Sequence, residues 1–598
     1  MAHRMSANAF HPLQASRRHW WLIITTGALT IVCGTLGLLQ YEQDHPHGEF
    51  HFAPAALGAF YHALQMLILH TPHFEHGANL GIELGRWLGA FTLVGTTVML
   101  LWRRLRRELN LLRLASWHGH FVVCGLGRKG FEVARFFRRA NPAAKVVVID
   151  PHPDEELGHE CEALGICVLN GDADDIRVLR MARVAAAAEV LIITAADETN
   201  VRIATKVRKL IAAQPGAAPH CHVHLANINL RASLQDLMES EPEKKSDCAL
   251  HFFDVYDDEA RRVLLALPLD GPGIGFTSPW QVHVVLLGFG RMGRSVALRA
   301  AKMGHFANRK PLRISVIDRH AAQQEQAFLF HYPALATEDI CQLKFHSAEA
   351  QSRVARQLVE GWAAEPDTLL HVFVCLDSNA EALEVGLRLR ETLVARPDCN
   401  LHVRIKSSES LADILELKPT LGPRITAFGM VEDACCNNAF RREHNEALAR
   451  AIHAEFVASR LADSTRTALT DPTLRPWEEL REELREANRQ QADHMNIKLR
   501  TFRCELVELS DPRPGIAQFD PAEVEVMAEL EHARWNAERW LNGWRFGKPS
   551  DKHKRISEYL VRWDELTDPI KKYDRDTITK IPALVARAVP PLKVVRQA

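Results

Sequence analysis

Two stretches of the sequence have the glycine spacing of a turn that binds phosphate. Residues 121–137 read FVVCGLGRKGFEVARFF, and residues 284–300 read VVLLGFGRMGRSVALRA. In each stretch an apolar strand precedes the glycines and a helix-compatible segment follows them, so backbone N–H groups at the helix N-terminus would face an anion. The candidate cofactor-binding residues are Gly125, Gly127, Arg128 and Gly130 in the first stretch and Gly288, Gly290 and Gly293 in the second. The first glycine of the motif permits the tight turn, the second lets a pyrophosphate approach the backbone, and the third allows close packing of helix on strand.

Acidic side chains follow the strands of the first stretch. Asp150 ends the segment KVVVID, about where a ribose 2′-hydroxyl partner belongs, and Asp172 and Asp197 follow the next two strands. Strands that alternate with helices form a parallel sheet, and polar residues at the carboxyl ends of its strands line the ligand crevice. We therefore predict that NAD(H) or another adenine nucleotide binds at the first copy.

The second copy is less complete. Its segment RISVID ends at Asp318, but its third strand ends in KFHSAEA, so Ser347 stands where the first copy has Asp172. One acidic contact to a ribose or base is missing. We expect the second site to be empty, altered or purely structural.

Two apolar segments near the N-terminus are long enough to cross a membrane. Residues 20–40 carry no charge over 21 positions, and residues 87–102 form a second apolar run. At about 1.5 Å per residue, a helix of some 20 residues covers a hydrocarbon layer of about 30 Å. Arg17 and Arg18 precede the first run and RRLRREL follows the second, which predicts that both termini lie in the cytoplasm. No cleavage site follows the first run, so we interpret it as a helix of the plasma (inner) membrane rather than a signal peptide.

The segment between the two spans leaves two interpretations open. PAALGAFYHALQMLIL, residues 54–69, is too short to cross comfortably and suits a re-entrant helix, which favours a pore. The following LHTPHFEHGANLG, residues 69–81, contains no potassium filter, which favours a membrane anchor. Seven histidines lie between the spans, either in a solvated loop or as a proton or metal sensor: His45, His47, His51, His62, His70, His73 and His76.

Composition excludes several functions. Lys and Arg total 73 and Asp and Glu total 74, so there is no overall basic field that would favour nucleic acid. The twelve cysteines form no CxxC pair, and we predict no metal site. No His/Asp or Tyr/Lys catalytic arrangement is recognisable, so we expect no enzyme, although a membrane oxidoreductase is the enzymatic alternative.

The C-terminal region combines charged helices with clustered tryptophans. In residues 477–500, Glu and Arg alternate at i, i+3 and i+4, which is typical of an exposed, salt-bridged helix. Asp520, Pro521 and Glu523 predict a capping box at the start of the next helix, and Gly543 predicts its end.

Two tandem units with GxGRxG and VID, directly after a two-helix hairpin, resemble the RCK domains (regulators of potassium conductance) and the related Trk-type uptake regulators. The resemblance spans about residues 118–455. It implies nucleotide or ion ligands, a ring of eight units beneath the membrane and gating of a pore. Two units per chain then imply a homotetramer.

The segment EHARWNAERWLNGWRFG, with the charged turn that follows it, resembles the ryanodine-receptor (RyR) repeat over about residues 475–585. Tryptophans beside Arg539 and the basic turn could stack a purine and hold its phosphates, or they could pack a small core. The candidate ligand residues for a small nucleotide-type ligand are His532, Trp535, Trp544, Arg545 and Lys552.

The expected fold is a membrane α-helical hairpin plus α/β, namely two tandem Rossmann-like RCK domains and a small, mainly α, RyR-type domain. The expected segments are a cytoplasmic N-terminus at 1–18, a pore hairpin at 19–102, a linker at 103–117, RCK units at 118–277 and 278–455, and the RyR region at 456–598. The predicted function is a ligand-gated cation channel whose ring and RyR domain sense nucleotides. The alternative is a membrane-anchored nucleotide sensor or transport regulator without its own pore.

Overall fold

A computed structural model of the chain describes residues 12–45, 52–71, 74, 77–213, 218–227, 230–231, 233–234, 250–271, 273–396, 399–406, 425–429, 443–461 and 471–597. The chain divides into two compact bodies. The first contains Met1–Gly127, Phe137–Leu191 and Thr205–His220, and the second contains Arg128–Phe136, Ile192–Ala204 and Cys221–Ala598. Of the histidines between the spans, His47, His51, His73 and His76 lie outside the described residues, as does part of the segment 69–81 that follows the short apolar helix.

Three helices form the N-terminal hairpin: α1 (Pro12–Asp44), α2 (Phe52–Met66) and α3 (Leu80–Leu114). By length and composition, Trp21–Asp44 and Leu80–Leu101 could each cross a membrane, with mean hydropathies of 2.1 and 1.4. Helix α2 lies where the sequence predicts the short helix between the spans. Helix α3 does not stop at the predicted end of the second span but continues through most of the linker, because RRLRRELNLL contains no glycine or proline to end it.

Glycines bring the backbones of α1 and α3 together. A Cβ at Gly37 would lie 2.4 Å from the backbone N of Ile82, and one at Gly81 would lie 2.7 Å from the Cα of Gly37. The Asn79 side chain donates a hydrogen bond to the Gly37 carbonyl over 2.7 Å and accepts one from the Ile82 N–H over 3.0 Å. The two long helices of the hairpin are therefore packed at backbone contact, as small residues permit in membrane helices.

The first α/β unit follows the hairpin. Its elements are β1 (Phe121–Cys124), α4 (Arg128–Ala140), β2 (Val146–Asp150), α5 (Glu155–Ala163), β3 (Cys167–Asn170), α6 (Ile176–Met181), β4 (Glu189–Ile192), α7 (Asp197–Ala212), β5 (His220–His224) and β6 (Leu250–Phe253). The strand order is β3-β2-β1-β4-β5-β6. Strands β1, β2 and β3 pair in parallel, and their short apolar runs are buried.

The second α/β unit repeats this design after helix α8 (Val255–Ala266). Its elements are β7 (Gln281–Leu287), α9 (Arg291–Met303), β8 (Arg313–Asp318), α10 (Ala321–His331), α11 (Ala334–Thr337), β9 (Gln342–Ser347), α12 (Arg353–Ala363), β10 (Thr368–Val374), α13 (Asn379–Thr392), β11 (Asn400–Arg404) and β12 (Ile425–Phe428). The sheet order is β12-β11-β10-β7-β8-β9, and every neighbouring pair is parallel. The predicted tandem of Rossmann-like units is confirmed.

The C-terminal region is mainly helical. Its elements are α14 (Glu443–Leu461), α15 (Glu482–Thr501), β13 (Cys504–Glu508), α16 (Pro521–Leu541), β14 (Arg545–Phe546), β15 (Ile556–Ser557), α17 (Asp568–Thr579), α18 (Ile581–Ala586) and β16 (Leu592–Arg596). The capping box of Asp520 and Glu523 is present, and Gly543 has a φ of +79° just beyond the end of α16. Helix α14 runs across the expected boundary at residue 455, and its Leu448 and Ile452 pack with Trp477 of the C-terminal core.

The prediction of an exposed helix at 477–500 was wrong. Helix α15 begins at Glu482, and its charged residues Arg489, Asp493 and Lys498 are buried. Each has an ion-pair partner: Arg489 binds Glu446, Asp493 binds Arg261, and Lys498 binds Glu531. A charge pattern at helical spacing does not distinguish water from buried partners, and here the partners come from other elements.

Candidate functional site

The first glycine motif forms an open turn at the end of β1. Gly125 has a φ of +111°, which only glycine adopts without strain. No atom lies within 4 Å of the position that a Cβ at Gly127 would occupy, so a ligand could approach the backbone there. The Asp150 carboxylate accepts hydrogen bonds from the N–H groups of Leu126, over 2.7 Å, and His152, over 2.9 Å. Each carboxylate oxygen keeps further acceptor capacity, so Asp150 can orient the turn and still receive a ribose hydroxyl.

Two other predicted acids differ from one another. Asp172 is exposed just beyond β3, where its carboxylate accepts the Asp174 N–H over 2.8 Å. The neighbouring Gly171 N–H donates to the Asp150 carbonyl over 3.0 Å, which brings the ends of β2 and β3 together. Asp197 instead accepts hydrogen bonds from the N–H groups of Ala226 and Asn227, over 3.1 and 2.7 Å. The carboxylate of Asp197 therefore holds the chain after β5. Of the other two motif residues, Gly130 is buried and Arg128 is exposed.

The second glycine motif has the same internal geometry. Gly288 has a φ of +92°, and Asp318 accepts hydrogen bonds from the Phe289 and His320 N–H groups, each over 2.8 Å. A Cβ at Gly293 would lie only 2.3 Å from the Gly288 carbonyl oxygen, so this glycine allows the close approach of helix to strand that its position predicts.

The surroundings of the second motif are different. The Asp377 carboxylate lies 4.0 Å from the position of a Cβ at Gly290. It forms ion pairs of 3.0 Å with Arg404 and 3.0 Å with Lys406. An acid of the protein itself thus stands beside the turn, where a ligand would bring its own negative charge. Sequence reasoning missed these three residues, although Asp377 follows β10, Arg404 ends β11 and Lys406 follows β11, as ligand residues would.

Buried ion pairs join the second unit to the C-terminal region. Arg299 of α9 binds Asp257 of α8 through bonds of 2.7 and 2.6 Å and Glu486 of α15 through one of 2.6 Å. Although burial alone raises the pKa of Asp257, Arg299 and Arg231 lower it to about 2. Arg261 binds Asp493 and Arg500 binds Asp270 in the same manner, each with two hydrogen bonds. The helix that starts at the second glycine motif is therefore held from both sides by paired charges.

The RyR-type candidates fall into three groups. His532 is buried, its Nε2 lies 2.8 Å from the Val561 carbonyl oxygen, and its ring packs against Trp535 and Trp563 at 5.8 Å between centroids. We assign His532 a structural contact. Trp535 and Trp544 both contact the guanidinium of Arg539, at 5.7 and 4.7 Å from their ring centroids. Arg545 and Lys552 are exposed, and the structure does not record a contact of either with the two tryptophans among the residues it describes.

Within the described ranges, no group of three His, Cys, Asp or Glu side chains is arranged to hold a metal ion.

Two parts of the chain match known domain families. Residues 121–219 match the TrkA-N domain, and residues 520–586 match the RyR domain, so both resemblances are confirmed over these residues. Potassium channel protein 1 of Methanocaldococcus jannaschii is 31% identical over 110 residues, which are 18% of this chain and 31% of that protein. The chain therefore aligns with less than a third of the length of this relative.

The fold is similar to that of solved channel structures at low identity. A GsuK structure bound to ADP is 15% identical, covers 71% of this chain and 97% of its own, and has a TM-score of 0.36. A GsuK channel bound to NAD is 14% identical, covers 71% of this chain and 82% of its own, and has a TM-score of 0.37. The human SLO3 gating ring is 11% identical, covers 54% of this chain and 83% of its own, and has a TM-score of 0.36.

Proposed function

We propose that this chain is the subunit of a homotetrameric, ligand-gated cation channel in the plasma (inner) membrane. Both termini and the region after the second span lie in the cytoplasm, and the RCK-type units regulate the pore. Nucleic acid binding and catalysis play no part in this proposal. The permeant ion we propose is potassium, which rests on the matched segment of a potassium channel protein.

The observation that carries the proposal is the continuity of helix α3. It runs from the second candidate span at Leu80 to Leu114 without a break and leads directly into the first unit. The chain is then tethered, because Arg183 donates a hydrogen bond to the Ala115 carbonyl and the Gly119 N–H donates to the Ala186 carbonyl over 2.9 Å. Movement of the first unit would therefore pull on the span with little slack.

The proposed ligand of the first unit is NAD(H) or another adenine nucleotide. Its pyrophosphate would lie over the open turn at Gly127, and its ribose would bind Asp150, with Asp172 nearby. Nucleotide binding shifts the gate only if the nucleotide binds more tightly to one of the two states of the gate. A tenfold difference in affinity supplies about 1.4 kcal/mol per site. Four chains multiply that bias.

The RyR domain supplies a second proposed input, a small nucleotide-type ligand. Trp535 and Trp544 around Arg539 offer aromatic faces and a cation, while Arg545 and Lys552 provide exposed charge for phosphates. Calorimetry of the full-length protein with a nucleotide panel tests this. We expect Trp535→Ala to remove one component of the binding heat, and the absence of that component from the wild type would contradict the proposal.

Single-channel recording in a planar bilayer tests the channel itself. The purified wild type should give unitary currents whose open probability depends on the nucleotide. Gly127→Asp should abolish that dependence and leave assembly intact, because its side chain enters open space but puts an anion where the pyrophosphate would lie. Gly158→Asp is the matched control, since no atom lies within 4 Å of its Cβ position either. An unchanged nucleotide response in Gly127→Asp would remove the first crevice from the mechanism.

The second candidate function is a membrane-anchored nucleotide sensor or transport regulator without its own pore. It is favoured by the lack of a potassium filter signature in residues 69–81. In this case nucleotide binding would persist in calorimetry while the bilayer stayed electrically silent.

A further inference from the structure

Three cations from three different elements converge on one aromatic ring in the second body. Tyr256, at the start of α8, has the Lys129 Nζ 4.3 Å from its ring centroid, the Arg404 guanidinium carbon at 5.5 Å and the Arg291 guanidinium carbon at 5.9 Å. Lys129 and Arg291 are close to the N-termini of α4 and α9, the two helices that begin at the glycine motifs, and Arg404 ends β11. Holding three positive charges this close together costs electrostatic free energy.

The charges in this cluster are poorly balanced by the protein. In the part of the chain that the structure describes, no ion pair joins Lys129 or Arg291 to a carboxylate. The Lys129 Nζ also lies 3.5 Å from the Nε2 of His224, whose pKa burial lowers to about 2, so this ring is neutral and adds no further positive charge. Of the three cations, only Arg404 has a carboxylate partner, Asp377, among the described residues.

Arg404 has unused hydrogen-bonding capacity. Its side chain is 5% exposed, and its Nε is buried without a partner. Its Nη1 reaches outward to Asp377, whose side chain is 81% exposed. The mostly exposed Asp377 carboxylate is therefore the partner that the tip of Arg404 has at present.

We propose that Lys129, Arg291 and Arg404 around Tyr256 form a binding site for an anion that carries two or more phosphate groups, and that Asp377 competes with this anion for Arg404. Two guanidinium groups and an ammonium suit phosphate oxygens, which guanidinium groups bind through pairs of parallel hydrogen bonds. The Tyr256 ring attracts the three cations through its π-face. Because the cations occupy that face, a nucleotide base would not stack on it. When the anion binds, Asp377 turns to water at small cost, because it is already mostly exposed.

The same phosphate chemistry can come from a free oligophosphate or from the phosphates of a nucleotide. Calorimetry of the detergent-solubilised full-length protein with tripolyphosphate, and separately with ADP, distinguishes the two sources. Tripolyphosphate binding that persists in Gly127→Asp supports a site of its own. Tripolyphosphate binding that disappears in Gly127→Asp would overturn the proposal, because these cations would then serve only the phosphates held at the first glycine motif.

Substitutions test the residues of the site. Lys129→Met and Arg291→Met should each weaken tripolyphosphate binding about tenfold, since each removes one charge-assisted contact. Asp377→Asn should tighten it about threefold to tenfold, because the competing carboxylate is gone. Arg388→Met, which removes an exposed cation from the far part of α13, is the matched control and should change nothing. Size-exclusion profiles should be the same for all four variants.

The gain of affinity for tripolyphosphate expected in Asp377→Asn is the decisive readout, since a folding defect in that variant would not tighten binding. Wild-type affinity in both Asp377→Asn and Lys129→Met would overturn the proposal. Equal weakening by Arg388→Met would also overturn it, because the effect would then follow net charge and not the site.

Discussion

The two glycine motifs have the same turn and different surroundings. In both, the aspartate at the end of the second strand holds the N–H of the residue between the first two glycines, over 2.7 Å from Asp150 and 2.8 Å from Asp318. Around Gly127 there is open space, whereas Gly290 has the Asp377 carboxylate beside it. The same turn therefore has different neighbours in the two units.

The difference continues into the helix behind the second turn. Helix α9 is fixed through Arg299 to α8 and α15, and apolar residues of the C-terminal helices, Ile497 and Ala537, belong to the same core cluster as strand β7. The second unit thus acts as the structural base of the C-terminal region. Of the two glycine turns, the first has the more open surroundings.

Acid should produce the largest difference in stability between the two units, because the second unit buries several neutral histidines. Burial lowers the pKa of His283 to about 3 and of His305 and His371 to about 4, and it lowers that of His402 as well. The unfolded chain takes up protons below about pH 6.5 while the folded chain does not, so stability is lost as pH falls from 6.5 towards 4. Each histidine contributes at most about 1.4 kcal/mol per pH unit.

Buried acids oppose this trend, and Asp254 is the clearest example. Burial raises the pKa of Asp254 to about 7, so the stability from its protonated form grows as pH falls from 7 towards 4 and offsets about one histidine. Hydrogen exchange, corrected for intrinsic rates, should show protection in β7–β11 falling faster below pH 6.5 than protection in β1–β3. Equal losses in the two sheets would contradict the assignment of the histidines.

Arg299→Met should produce the next largest effect. It leaves Asp257 with a more distant partner, Arg231 at 3.5 Å, and takes the nearest cation from Glu486. Breaking a buried ion pair of this kind costs about 3–5 kcal/mol. Arg356→Met, at an exposed pair with Glu360 on α12, should cost less than about 0.5 kcal/mol. Urea unfolding followed by tryptophan fluorescence measures both, and equal midpoints would show that the network does not support the second unit.

The sequence predicted the parts of the molecule that depend on local pattern. The two sheets, the turn at Gly125, the close packing at Gly293 and the capping box at Asp520 all follow from short-range spacing and are present. The pairing of Asp377 with Arg404 is different, since 27 residues separate the partners and no short motif connects them. The contact of the His532 Nε2 with the Val561 carbonyl is also of this kind, since 29 residues separate the two and no short motif connects them.

Alanine at two glycines separates folding from binding. Gly293→Ala would place its methyl 2.3 Å from the Gly288 carbonyl oxygen, and relieving that backbone contact should cost about 2–3 kcal/mol. Gly127→Ala meets no atom within 4 Å and has an ordinary φ of −79°, so the free energy of unfolding should change by less than about 0.5 kcal/mol. Its affinity for NAD, measured by calorimetry, should nevertheless fall about tenfold, because the methyl keeps the pyrophosphate from the backbone. A stable Gly293→Ala protein would mean that α9 can move away from its strand.

Asparagine at the two loop aspartates gives the smallest effect and the sharpest comparison. In Asp150→Asn and in Asp318→Asn, one oxygen remains as an acceptor while the new amide faces a backbone N–H, so each should lose about 1 kcal/mol of stability in thermal unfolding. Because the two turns are the same, these losses should match. Only Asp150→Asn should weaken NAD binding, since it also loses the acceptor for the ribose. If Asp318→Asn weakened NAD binding to the same degree, the second crevice would hold nucleotide as well.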